Sequence, residues 1–237
     1  MSSFGTVGWR YSPERVAAAY EAGYWTDERL TDYLDRWAEA APDRTLVSDG
    51  TASLTYAQAR AQAYRMAAKL IDLGIKKGDR VVVQLPNWSE YVVCHLALAR
   101  LGAVMVPVMP IYREHEVTYV VENSGAIAAI TCGEFRKFDH QQMFLDLRKS
   151  IPALKTVVVV RGDARDGALS YTSLTEPGAG LELPSAQRIG PGPTANDGYV
   201  IVYTSGTESR PKGCYHTFNT FGYTARENGK LMKLGTE

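Results

Sequence analysis

Apolar residues recur along this chain with two different periods. Through the first seventy-odd residues the period is helical. Ser12 followed by Pro13 predicts an N-cap and first helical position, with Gly23 as the stop. Leu30, Tyr33, Leu34, Trp37, Ala38 and Ala41 follow the i, i+3, i+4, i+7 spacing of one buried helix face. A third helix is predicted from a Thr55 cap to Gly74, with Ala59, Ala63, Met66, Ala67 and Leu70 turned inward. From Arg80 onward, short β-branched runs alternate with helical stretches. Strands are predicted at 80–85, 103–108, 126–131 and 155–160, and helices at 88–101 (closed by Gly102), 114–123 and 139–149. Continuous apolar strands between amphipathic helices predict an α/β fold. It is doubly wound, with a mostly parallel sheet, helices on both faces, and part of a second sheet layer.

Periodicity fades between Arg161 and Gly198, a stretch that contains Gly190-Pro-Gly-Pro193. It reads as a long connection or weak hairpin, either marking a subdomain boundary or packed by its own side chains. The expected division is therefore 1–160 (helical start and first α/β subdomain), 161–198 (connection) and 199–237 (start of a second subdomain). Tyr199–Tyr203 is a predicted strand, and a final helix is predicted from Thr220 to Leu234.

Composition narrows the chemistry. The 26 basic and 26 acidic residues cancel, which argues against a nucleic-acid-binding module. The hydrophobic fraction of 45% supports a packed core and argues against disorder. Cys94, Cys132 and Cys214 form no CxxC pair and the four histidines lack ligand spacing, so no metal site is expected. No apolar run approaches the roughly 18 residues of a membrane span, and the start lacks a signal-peptide pattern. A cytoplasmic protein without a membrane partner is the expectation. The oligomeric state is not legible.

The most informative stretch follows the 199–203 strand: Thr204-Ser-Gly-Thr-Glu-Ser-Arg-Pro-Lys-Gly213. The hydroxyls of Thr204, Ser205 and Thr207, two glycines (Gly206, Gly213) and two cations (Arg210, Lys212) fall within ten residues. Glycine lets backbone N–H groups approach a ligand, hydroxyls donate to phosphate oxygens, and lysine adds a mobile positive charge. A loop at the carboxyl end of a strand is also where open α/β sheets place ligands. This composition points to a polyphosphate cradle, with a solvated Ser/Thr/Gly turn as the plainer alternative. The P-loop pattern does not fit, because Lys212 lies between Pro211 and Gly213 and the required hydroxyl is missing.

Other features read first as structural. Asn87 is a candidate helix cap, and Glu114 and Glu116 suit the start of a helix, beside Arg113. Cys94 and His95 are helical neighbours that point in different directions.

The order Tyr-Thr-Ser-Gly-Thr-x-x-x-Pro-Lys-Gly resembles the signature loop of the adenylate-forming enzymes, which include acyl-CoA synthetases, aryl-acid AMP ligases and luciferases. Val81-Val-Val-Gln-Leu-Pro-Asn87, Arg100-Leu-Gly-Ala-Val104, Tyr112-Arg-Glu-His-Glu116, Thr55-Tyr56 and Leu73-Gly-Ile-Lys-Lys-Gly-Asp-Arg80 are similar to stretches of the same family. The resemblance runs from about Tyr24 to the end and is nearest to the aryl-acid and cyclic-carboxylate branch. It implies an ATP-dependent ligase that joins a small carboxylic acid to AMP and then to coenzyme A, with Mg2+ accompanying ATP. Thr204, Ser205, Gly206, Thr207, Lys212 and Gly213 would bind the β- and γ-phosphates.

Glu208-Ser209 replaces the family's usual Thr-Gly. Phe218 stands where a histidine is common, with His216 two residues before it. The family's magnesium-binding glutamate, ribose-binding aspartate and catalytic lysine would lie beyond Glu237. The chain therefore reads as the N-terminal portion of such an enzyme and is expected to be inactive alone. Two alternatives are an aryl-AMP ligase loading a carrier-protein pantetheine, and a non-catalytic fragment that binds a nucleotide or a partner.

Overall fold

The computed structural model describes residues 11–177, 186–204 and 210–234. Its elements are, in chain order, α1 (Pro13–Glu21), α2 (Leu30–Ala40), β1 (Thr45–Ser48), β2 (Ser53–Thr55), α3 (Tyr56–Asp72), β3 (Arg80–Gln84), α4 (Ser89–Leu101), β4 (Val104–Pro107), α5 (Glu114–Ser124), β5 (Ala128–Cys132), β6 (Glu134–Phe135), β7 (Phe138–Asp139), α6 (His140–Ser150), β8 (Thr156–Val160), β9 (Leu169–Ser170), α7 (Tyr171–Thr175), α8 (Ala186–Ile189), β10 (Gly198–Tyr203), β11 (Gly213–Thr217) and α9 (Phe218–Leu231).

Local chemistry sets the helix ends. The Ser12 hydroxyl accepts from Arg15 N, and Gly23 takes φ +69° after α1. Thr55 and Gln58 form a reciprocal capping box at the start of α3. Gly102 and Gly125 close α4 and α5 in the left-handed region, at φ +85° and +62°. Asn87 does not cap α4. The first turn begins at Ser89, whose N–H donates to the Asp49 carboxylate at 2.9 Å. Asp49 belongs to the β1–β2 turn, so the cap is supplied from 40 residues away. Three hydrogen bonds from Ser89 and Thr51, followed by one from Ala52, hold the Asp49 carboxyl well below the usual carboxylate range.

The main sheet has seven strands in the order β11-β10-β4-β3-β5-β8-β9. Every pair is parallel except β10–β11. Alternate residues of each strand feed opposite faces. Val81, Val83, Ile130, Val158 and Val160 pack with α3 and α4, whereas Val82, Ala129, Val157 and Val159 pack with α5 and α6. The α3 positions expected to face inward, Ala59, Ala63, Met66, Ala67 and Leu70, are all fully buried.

The connection from β8 to β10 is not a hairpin. Its β9 pairs in parallel with β8 at one edge of the sheet, while β10 lies beside β4 near the other edge. Those strands are five spacings apart, roughly 24 Å, which explains the connection's length. Along the way Thr175 O accepts from Arg65, Gly190 O from Arg100, and Pro193 O from Arg29. Tyr171 and Leu174 join the core. The strand after the connection thus continues the same sheet, and the remaining sheets are two-stranded, β1–β2 and β6–β7.

Gly198, at the start of β10, has a packing reason to be glycine. A Cβ there would lie 1.8 Å from the Tyr215 hydroxyl. Gly198→Ala is expected to push Tyr215 out of its buried site and cost about 1–3 kcal/mol, measured by urea unfolding.

Candidate functional site: the β10–β11 loop

The signature stretch joins β10 to its antiparallel partner β11. Tyr203 pairs with Gly213 at the base. Thr204 N donates to Lys212 O at 3.1 Å, and Lys212 N donates to the Thr204 hydroxyl at 3.4 Å. Thr204, Lys212 and Gly213 are thereby brought together. Ser205, Gly206 and Thr207 lie outside the described residues, as do Glu208 and Ser209. Lys212 and Thr204 are exposed. Among the described residues the Lys212 ammonium makes no ion pair.

Two features of this hairpin differ from the sequence expectation. The loop is followed by an antiparallel strand, β11, and the last helix is Phe218–Leu231 rather than Thr220–Leu234. Thr217 caps that helix. A P-loop runs from a strand into a helix whose N-terminus meets the phosphates. Here the arm bearing Lys212 enters a strand, so the anion would meet hairpin backbone and side chains. Gly213 also has a steric role: a Cβ there would stand 2.9 Å from Ile201 and 3.2 Å from the Tyr203 ring.

A cavity of about 950 Å³ opens beside the hairpin base, lined by Tyr203, Thr204, Arg210 and Pro211 on one side. Tyr112, Arg113 and the first turns of α5 form the other side. Helix α5 grips both arms of the hairpin. Tyr119 donates to Pro211 O at 2.8 Å, and Tyr203 donates to the Asn123 side chain at 2.7 Å. Burial, with neighbouring Tyr119, pushes the Tyr203 hydroxyl up to about 12, so it remains a donor at neutral pH. The sequence singled out neither of these two contacts with α5. The Tyr119–Pro211 contact spans 92 residues and leaves no local signature. Arg113, Glu114 and Glu116 serve the helix start as expected, Glu116 accepting from Arg113 N at 3.1 Å.

At the switch point of the sheet, between β3 and β5, the carboxyl end of β3 is tied down by side-chain hydrogen bonds. The Gln84 side chain donates to Met109 O and Tyr112 O, both at 3.0 Å, and its oxygen lies 3.3 Å from His140 Nδ1. Phe138 of the small β6–β7 hairpin packs edge-on against His140. A second cavity, about 510 Å³ and largely apolar, lies near the opposite end of β10, between Trp37, His95, Tyr199, Phe218 and Phe221. His95 Nε2 meets the Tyr199 hydroxyl there, and Cys94 is buried, which gives both residues of that helical pair structural roles. His216 stands beside Phe221 and Thr220. Among the described residues no group of three or more His, Cys, Asp or Glu is placed to hold a metal. No described helix is long and apolar enough to cross a membrane.

The family described as AMP-binding enzyme matches residues 34–233. The chain belongs to this family. It is 32% identical over its whole length to a Streptomyces salicylyl-CoA synthase / salicylate adenylyltransferase, spanning 42% of that protein. It is 33% identical to the medium-chain fatty-acid–CoA ligase of Escherichia coli over 92% of this chain and 39% of that one. The apo structure of Mycobacterium smegmatis MbtA superimposes with a TM-score of 0.84 and 32% identity, covering 96% of this chain and 41% of that one. The chain thus spans about two fifths of its relatives' length, and the AMP-binding family's α/β sheet is present in it.

Proposed function

We propose that this chain carries the triphosphate-binding part of an AMP-forming carboxylate ligase. ATP and a small carboxylic acid are the substrates of the whole enzyme. The carboxylate oxygen attacks the α-phosphorus, the bond to the β-phosphate oxygen breaks, and an acyl-adenylate and pyrophosphate result. A thiol, that of coenzyme A on this reading, then displaces AMP. Joining an anion to a polyanion requires fixed positive charge and N–H donors. The supporting observation is the exposed Lys212 beside Thr204, at the hydrogen-bonded base of a hairpin that flanks the cavity beside α5.

Thr204 would donate its hydroxyl to a phosphate oxygen, and Lys212 would offset the charge of the departing pyrophosphate. Gly213 keeps the base narrow. Ser205, Gly206 and Thr207 complete the proposed receptor. Magnesium would arrive with ATP. The described residues supply no ligand cluster for it, so none of the steps assigned to this chain depends on it.

The test is ATP–pyrophosphate exchange with salicylate, benzoate and octanoate. Acid-dependent exchange is expected from a protein spanning the relatives' full length, and none from residues 1–237 alone. Exchange by 1–237 alone would overturn the expected inactivity. No exchange by the longer protein with any acid would favour a non-catalytic nucleotide binder. A relative from Mycobacterium tuberculosis, 31% identical, is named a salicyl-AMP ligase / salicyl-S-ArCP synthetase. That name keeps a carrier-protein thiol as the second acceptor to try.

A further inference from the structure

We propose that Tyr119 is a positioning residue for the phosphate loop, resting on the reading that this loop receives ATP. Three contacts converge on its side chain. The hydroxyl donates to Pro211 O at 2.8 Å. The Arg210 guanidinium lies over its ring, 5.7 Å from the centroid. The Tyr203 ring meets it edge-on at 6.3 Å and 80°. One turn further along α5, Asn123 accepts from the Tyr203 hydroxyl. A single helix face therefore holds the strand entering the loop and the arm leaving it.

The consequence for Lys212 is geometric. Proline has a fixed φ, and the peptide bond that follows it is planar. Anchoring the Pro211 carbonyl therefore fixes the plane from which the Lys212 backbone starts. The Thr204–Lys212 hydrogen bonds fix the opposite side. With both sides held, the ammonium begins its reach from one defined place, and less ordering remains for ATP to impose. The ring also keeps the Arg210 charge at the mouth of the cavity that both residues line. Tyr119 touches neither ATP nor the reacting atoms on this account; it acts through Pro211 and Arg210.

Tyr119→Phe removes only the hydroxyl, and Tyr119→Leu removes the aromatic face as well. In full-length protein, the exchange assay is expected to show KM for ATP raised about three- to tenfold in Tyr119→Phe. A larger rise is expected in Tyr119→Leu, with KM for the acid unchanged in both. The thermal midpoint of Tyr119→Phe should stay close to that of the parent. Lys212→Ala measured alongside shows whether the loop binds ATP at all. If Lys212→Ala impairs exchange and neither Tyr119 variant moves KM for ATP, the positioning role is wrong and the nucleotide reading stands. If KM for ATP and acid rise together with a fall in thermal midpoint, Tyr119 is only a packing residue and the proposal also fails. If Lys212→Ala has no effect, the loop assignment fails and the positioning role with it.

Discussion

Lys212→Ala is expected to weaken ATP binding or adenylate formation by roughly ten- to a hundredfold. A hydrogen bond to a charged group contributes about 1.5–3 kcal/mol, and each 1.4 kcal/mol is about tenfold. The structure leaves this lysine exposed, without an ion pair among the described residues, at a base held by Thr204. Its removal costs no buried contact, so the loss is expected in nucleotide kinetics and not in folding. Lys212→Arg should recover only part of the activity, because a planar guanidinium differs in shape and reach from an ammonium. Nucleotide titration of the full-length enzyme and unfolding of the same variants provide the two readings.

The second large effect concerns acid. Burial lowers His95 from the usual 6.5 to about 4, and burial together with the Arg113 charge does the same to His140, against a small opposing effect of Asp139. Among the described residues His140 Nε2 has no hydrogen-bond partner, which is consistent with a neutral ring. Between those two pH values the unfolded chain binds protons that the folded chain refuses. Stability is therefore complete above about pH 6.5 and falls as the pH approaches 4. By pH 5 the loss should be on the order of 1–2 kcal/mol per histidine. Urea unfolding at pH 7 and pH 5 measures it, and His140→Gln should abolish its share of the difference. Equal stability at the two pH values would mean that these rings do not stay neutral.

The pattern of apolar residues revealed the parts of the fold that depend on local chemistry. Thr55 and Gln58 mark a helix start within three residues, and Gly102 marks an end. The continuous apolar runs of β3 and β5 announced two covered faces. What stayed hidden depends on contacts distant in sequence or on unusual backbone. The β6–β7 turn places Arg136 and Lys137 at φ +51° and +61°, where Gly or Asn would have been the cue. The α4 cap comes from Asp49 instead of the adjacent Asn87. β11 is a five-residue strand, Gly-Cys-Tyr-His-Thr, too short and mixed to show a period. At the site, the loop stood out in the sequence because hydroxyls, glycines and cations cluster within ten residues. The Tyr119 and Asn123 grip was not, because it joins α5 to residues 80 or more positions away.

The central claim, that the loop after β10 receives the triphosphate tail of ATP, is tested most directly by an ATP derivative bearing an acyl group on its terminal phosphate. A lysine amine close to that phosphate attacks the acyl carbon and releases ATP, leaving a stable amide that mass spectrometry locates. The account predicts that Lys212 carries the acyl group and that excess ATP prevents its labelling. Labelling of other lysines with Lys212 untouched, or labelling of Lys212 that ATP does not suppress, would contradict it.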